Sequence, residues 1–361
     1  MSHEVSSDQE LFPLAPFLEK AKAQACTDIY LQIDQIPYWR ISGKLQPAEH
    51  PKLTGATFWQ WARDLLLPED LPFFQAGASI RQIVNHAIAT VSVHAHTTVA
   101  GPALSLRLPT STVPDMDRLG LPSVLKELVE SPQGLILVTG KTGSGKSTTL
   151  VSLANYINQT ACRHIVTLED PLWFLYAPQQ SIITQWVAGI HIDSLIDGFE
   201  QAQCIDADVI VLNELGDRPT LDKALQAAQS GYLVLACLHA TRAIEALETL
   251  FSFYSEAEQP FIQQRLSKVL KAVLSQHLVP TTSGQYGRAA IHDLLVVNKQ
   301  VQERLAQGHL DYLASWTAED TVVWPRTMSQ DLNQLLTEQR ISQETFETVS
   351  QMLKSYEVSE F

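Results

Sequence analysis

The chain has 361 residues, 45% hydrophobic and 18% charged, with a formal net charge of −14. Length and composition suit two folded domains and argue against a disordered chain, and such acidity argues against general binding to duplex DNA, which rests on phosphate neutralisation. No apolar run approaches the roughly 20 residues a bilayer span needs, and the four isolated cysteines (Cys26, Cys162, Cys204, Cys237) suit a reducing cytoplasm better than a zinc or disulfide scaffold.

The N-terminal stretch MSHEVSSDQE is polar and acidic, without the basic start and apolar core of a signal peptide. Residues 1–108 then read as a small α/β domain. LAPFLEKAKAQA has helical apolar spacing, DIYLQI and YWRIS look like paired strands, and ATFWQWARDLLL is a second amphipathic helix. VNHAIATVSVHAH alternates apolar and polar residues, and ALSLRLP closes the domain. His94 and His96 in that alternation share one strand face, and without a third ligand they read as surface residues. Trp59 and Trp61 on the second helix read as packing residues.

Residues 109–122, PTSTVPDMDRLGLP, are rich in turn formers and read as a linker. From 123 to 298 apolar strands alternate with amphipathic helices: GLILVTG, KSTTLVSLANYIN, RHIVTLED, DADVIVLNE, TLDKALQAAQ, YLVLACLH, AIEALETLFSF and IHDLLVVN. Continuous apolar strands between helices imply a parallel sheet covered on both faces. Residues 299–361 form a mostly helical region, clearest in LNQLLTEQ and QETFETVSQMLKS.

Gly140, Gly145, Lys146 and Ser147 complete a G-x-x-x-x-G-K-[ST] loop between a strand and a helix, which is the context a phosphate-binding loop requires. Its members Thr142, Gly143, Ser144 and Thr148 join the expected nucleotide site. Loop amides and the helix N-terminus suit phosphate oxygens, Lys146 the β- and γ-phosphates, and the Ser147 hydroxyl Mg²⁺. ATP and Mg²⁺ are therefore the expected ligands. Glu169 and Asp170 end one strand, Glu214 another and His239 a third. In a parallel sheet those ends face the loop, where a carboxylate can hold the metal through water or orient an attacking water. A strand-end histidine serves a γ-phosphate or a catalytic carboxylate, or a structural bond; the spacing leaves both open.

GLILVTGKTGSGKSTTL, HIVTLEDP, ADVIVLNELGD and GYLVLACLHA, in this order, resemble the four nucleotide boxes of secretion-superfamily ATPases, and most closely the type IV pilus retraction group, PilT and PilU. CTDIYLQIDQIPYWRISGKL, DRLGLP and MSQDLNQLLTEQRIS are similar to that group's N-terminal segment, linker and C-terminal helices. The resemblance implies a PAS-like N-terminal α/β domain, a RecA-like ATPase domain and C-terminal helices. It also implies a hexamer that hydrolyses ATP between subunits and works on a pilus platform protein, in the cytoplasm at the inner membrane. Glu214 would be the catalytic carboxylate, Glu169 the Asp-box acid and His239 the His-box residue, with Arg107 a retained nucleotide-binding arginine.

Thr90, Ser92, Glu200, Cys204 and Gly216 stand where the family carries arginines, and Tyr30 and Asn213 replace a histidine and a glycine. Between Arg163 and Arg218 the only basic side chains are His164 and His191. An arginine finger contributes about 10³ to 10⁵ in rate in other phosphoryl-transfer systems. Nucleotide binding is thus expected to survive and autonomous hydrolysis to be weak. The alternatives are a non-hydrolysing subunit that joins a paralogous ATPase, and the motor of a related secretion or conjugation system.

Overall fold

The computed structural model describes residues 12–282, 287–310 and 326–358; the acidic N-terminal stretch lies outside them. The chain divides into two units, one of residues 1–112 with 171–175 and one of residues 113–170 with 176–361.

The first unit contains α1 (Leu14–Ala23), β1 (Cys26–Gln32), β2 (Tyr38–Ile41), β3 (Lys44–Pro47), α2 (Gly55–Leu65), α3 (Leu71–Gln75), β4 (Ile80–Asn85), β5 (Thr90–Thr98) and β6 (Gly101–Arg107). The strands form an antiparallel sheet in the order β3-β2-β1-β6-β5-β4. Successive strand side chains alternate between faces. Ile29, Leu31, Val91, Val93, Ala95, Leu104 and Leu106 therefore all meet α1 and α2, whose Phe17, Leu18, Phe58 and Trp61 complete the core. Trp61 is buried and its indole N–H donates to the Phe12 carbonyl at 2.7 Å, so it packs as expected. On the other face the His94 and His96 rings lie 4.8 Å apart, and His94 meets Ser79 Oγ at 2.9 Å.

The second unit begins inside the expected linker. There α4 (Met116–Leu119) and α5 (Val124–Val129) bury Met116, Leu121 and Leu125 against the large sheet. It continues through β7 (Gly134–Thr139), α6 (Lys146–Thr160), β8 (His164–Glu169), β9 (Ile182–Val187), α7 (Leu195–Cys204), β10 (Val209–Leu212), α8 (Arg218–Gln229), β11 (Leu233–Leu238), α9 (Ala243–Ser252) and α10 (Gln259–Val269). It ends with β12 (Leu270–Pro280), β13 (Arg288–Val296), α11 (Lys299–Ala306), α12 (Met328–Thr337) and α13 (Gln343–Val358).

The sheet order is β13-β12-β7-β11-β10-β8-β9. All neighbours are parallel except β12 and β13, so the expected parallel sheet carries an antiparallel edge. In β7 Leu135 and Leu137 face the core with α8, while Ile136 and Val138 face the one with α6. Double coverage is why β7 is apolar at every position from Leu135 to Val138.

Between β8 and β9 the chain enters the first unit for residues 171–175. The Thr110 N–H donates to the Trp173 carbonyl at 3.1 Å, and the Leu175 N–H donates to the Thr110 carbonyl at 2.9 Å. At the C-terminus α12 opens with a capping box of Thr327 and Gln330. It docks through buried Asp331, whose Oδ2 accepts from the His292 backbone N–H at 2.8 Å and its ring Nδ1 at 3.0 Å.

Candidate nucleotide-binding site

Four strands deliver the site to one edge of the second unit's sheet. Because β7, β8, β10 and β11 run parallel, the residues at or just after their carboxyl ends, Gly140, Glu169 to Asp170, Asn213 to Glu214 and His239, emerge on the same side. The loop from Gly140 to Lys146 is set by glycines at φ +153° (Gly140), +80° (Gly143) and +90° (Gly145). At Gly140 a Cβ would lie 2.3 Å from Ser144 Oγ and 2.5 Å from the Gln276 carbonyl, so only glycine lets the loop close there. Gly145 is the N-cap of α6 and gives it no side-chain cap, which leaves the helix's first N–H groups for a ligand.

Lys146 is buried, and its ammonium donates to the carbonyls of Gly140 at 2.7 Å and Lys141 at 3.0 Å. It also reaches His239 Nδ1 at 3.3 Å. Burial lowers the Lys146 pKa, with Cys237 and Glu214 opposing. On the far side of the imidazole, Nε2 lies 3.4 Å from Glu214 Oε1. Lysine, histidine and glutamate thus form one line from loop to strand end, with His239 and Glu214 about half exposed (48% and 60%). Cys237, one residue before the end of β11, is pushed up to about 12 by burial and stays a thiol.

Glu169 is 4% exposed. Its Oε1 accepts from Thr167 Oγ1 at 2.7 Å and from Gln185 Nε2 at 3.0 Å. Beside it, burial and then the Glu169 charge push the Tyr176 phenol far up. Thr142 and Gly143 are exposed in the loop, and Ser147 and Thr148 are half-buried in the first turn of α6. Ser144 Oγ is buried without a hydrogen-bond partner. That orphan hydroxyl, the uncapped helix and the lysine fit a polyphosphate, and the Ser147 hydroxyl fits a hard cation bound to it. Among the described residues no cluster of three or more His, Cys, Asp or Glu could hold a metal.

Arg107 belongs to the first unit. It donates to Asp28 Oδ1 at 2.9 Å and stacks 3.8 Å over the Trp173 ring. At the positions without arginine, Glu200 pairs with Lys223 at 2.5 Å, while Cys204 and Gly216 are exposed. Tyr30 is engaged by Arg40, which donates to its hydroxyl at 3.2 Å and 3.3 Å.

Sequence reasoning missed Gln276, Thr149 and Gln185. Gln276 is 3% exposed; it donates to the Ser144 carbonyl at 2.6 Å and accepts from Thr149 Oγ1 at 2.7 Å. The signal was Ser275-Gln276-His277, a polar trio inside the apolar run of KAVLSQHLVP.

Residues 76–345 match the family described as Type II/IV secretion system protein. The chain is 35% identical over 311 residues to a twitching motility protein of Neisseria gonorrhoeae, covering 85% of this chain and 82% of that protein. It is 34% identical over 239 residues to the type IV pilus ATPase PilU of Pseudomonas aeruginosa, covering 66% and 62% respectively. Among solved structures, that of the pilus retraction motor PilT with bound ADP matches at a TM-score of 0.82 and 29% identity, over 93% of this chain and 96% of that one. The strand-loop-helix cradle with its strand-end carboxylates, and a family match over most of its length, place this chain in the Type II/IV secretion system protein family, as a PilT-like ATPase.

Proposed function

We propose that this protein is a motor ATPase of a type IV pilus that acts in retraction and twitching motility. The observation that carries the reading is the line Lys146–His239–Glu214, which joins a phosphate-gripping cation to a strand-end carboxylate. Lys146 exchanges its bonds with Gly140 and Lys141 for the β- and γ-phosphates of ATP, while the loop amides and the α6 N-terminus hold the same oxygens. Ser147 holds Mg²⁺, which when bound neutralises phosphate charge. Glu214 orients and deprotonates the attacking water, and His239 holds Glu214 in place. Glu169, buried among Thr167, Gln185 and Tyr176, braces the opposite side. Arg107 is a further nucleotide-binding residue. Subunits assemble as a hexamer, or with a paralogous ATPase, in the cytoplasm against an inner-membrane pilus platform protein. The PilT and twitching-motility relatives support the pilus assignment.

A second reading, a non-hydrolysing subunit that regulates a paralogous motor, is favoured by the Glu200–Lys223 pair. There a carboxylate stands at a family arginine position and takes up a neighbouring cation. Calorimetry and turnover decide between the two. The motor reading expects Mg·ATP binding that Lys146→Ala weakens, and turnover that Glu214→Gln abolishes. Binding without turnover, alone or with a paralogue, supports the regulatory subunit, and absence of both overturns the ATP site. Loss of the protein from a piliated host should leave pili unretracted; normal retraction overturns the pilus assignment.

A further inference from the structure

We propose that Gln276 is a positioning residue for the phosphate loop and that it sets the direction of the Gly145 amide; this rests on the loop being an ATP site. Strand β12 runs beside β7 with Ser275 opposite Thr139, so Gln276 comes level with the point where β7 gives way to the loop. A glutamine this deep is costly unless both ends of its amide are bonded. Both are. Nε2 donates to the Ser144 carbonyl at 2.6 Å, and Oε1 accepts from Thr149 Oγ1, one turn into α6, at 2.7 Å. The side chain therefore ties the loop to the helix it feeds.

Peptide planarity gives that tie a direction. The C=O of Ser144 and the N–H of Gly145 belong to one trans peptide and point opposite ways. With the carbonyl held toward β12, the Gly145 N–H faces away from it, toward the concave side of the loop. Gly145 is also the residue against which Gln276 packs, since a Cβ there would lie 2.9 Å from Nε2. The Thr149 N–H bonds the Gly145 carbonyl at 3.0 Å, so the peptides on both sides of Gly145 are fixed. Gln276 acts on the nucleotide through the backbone and needs no contact with it.

The experiment measures Mg·ATP and ADP affinity by calorimetry for wild type, Gln276→Met and Thr149→Val, with thermal unfolding of each nucleotide-free protein. Gln276→Met keeps length and neutrality and loses the donor. It should weaken both nucleotides about tenfold, the scale of one hydrogen bond, with an unfolding midpoint near wild type and KM raised more than kcat falls. Thr149→Val keeps the Ser144 bond and should weaken binding less than threefold. If Gln276→Met does not fold, Gln276→Asn, whose shorter side chain falls short of Ser144, carries the same expectation. Gln276 variants that bind within threefold of wild type overturn the role of Gln276 and leave the ATP site standing. A wild type that binds no ATP overturns both.

Discussion

The Nδ1 of His239 accepts a hydrogen bond from the Lys146 ammonium at 3.3 Å. A lysine can only donate, so this contact leaves Nδ1 unprotonated and assigns the imidazole proton to Nε2, which faces Glu214 Oε1 at 3.4 Å. One imidazole thus meets the Lys146 ammonium through its acceptor nitrogen and turns its N–H toward the Glu214 carboxylate.

His239→Ala removes that brace without touching the loop amides. ATP affinity should stay within threefold of wild type, while turnover falls by about 10², the lower range for a group acting through general base catalysis. Steady-state kinetics beside calorimetry read the split; a loss of affinity as large as the loss of rate would assign His239 to binding.

Lys146→Met should lower ATP affinity at least tenfold, the scale of about 1.4 kcal/mol for a charge-assisted contact, without lowering the thermal midpoint of nucleotide-free protein. Burial lowers the Lys146 pKa, so the fold disfavours its charged form. That cost is present at neutral pH and is relieved only as pH rises through the lowered value toward 10.5. Any gain from methionine should therefore show at pH 7 and shrink at strongly alkaline pH. A clear drop in the midpoint would contradict it.

Wild-type protein alone should turn over more slowly than the roughly 1–100 s⁻¹ of efficient phosphoryl-transfer enzymes, and Glu214→Gln should abolish what remains. Gly216→Arg is sterically open, since a Cβ there meets only Glu214 atoms, at 3.7 Å and 3.9 Å, with no left-handed backbone to strain. Its guanidinium should raise the rate by stabilising charge on the transferred phosphoryl group. Tens of turnovers per second in wild type would show that the missing arginines are immaterial.

Light scattering at micromolar concentration should find rings, most readily with ATP, because the nucleotide edge of the sheet leaves His239 and Glu214 about half exposed for a neighbour to cover. A strict monomer with and without ATP counts against the assembly.

Asp331→Ala should destabilise the second unit by about 3 kcal/mol, since a buried donor left unpaired costs about 1–3 kcal/mol. It strips the buried His292 of its backbone and ring partner and loosens α12. Chemical denaturation measures it, and a change below about 0.5 kcal/mol, typical of a surface substitution, would refute the docking role.

Local pattern in the sequence determined the strand-loop-helix at 134–160, the strand-end acids Glu169 and Glu214, and the alternation of strands with helices. Each is written in neighbouring residues, by apolar periodicity or by glycines at fixed spacing. Tertiary structure alone decided three other things. Gln276 stands 132 positions from the Ser144 carbonyl it bonds, and only the parallel register of β12 on β7 brings them together. Tyr176 and Gln185 close around Glu169 because the chain leaves and re-enters the second unit between β8 and β9. Asp331 meets His292 because α12 folds back on β13. A hydrogen bond between distant segments leaves no periodic trace in either, so such partners appear only when the strands are paired.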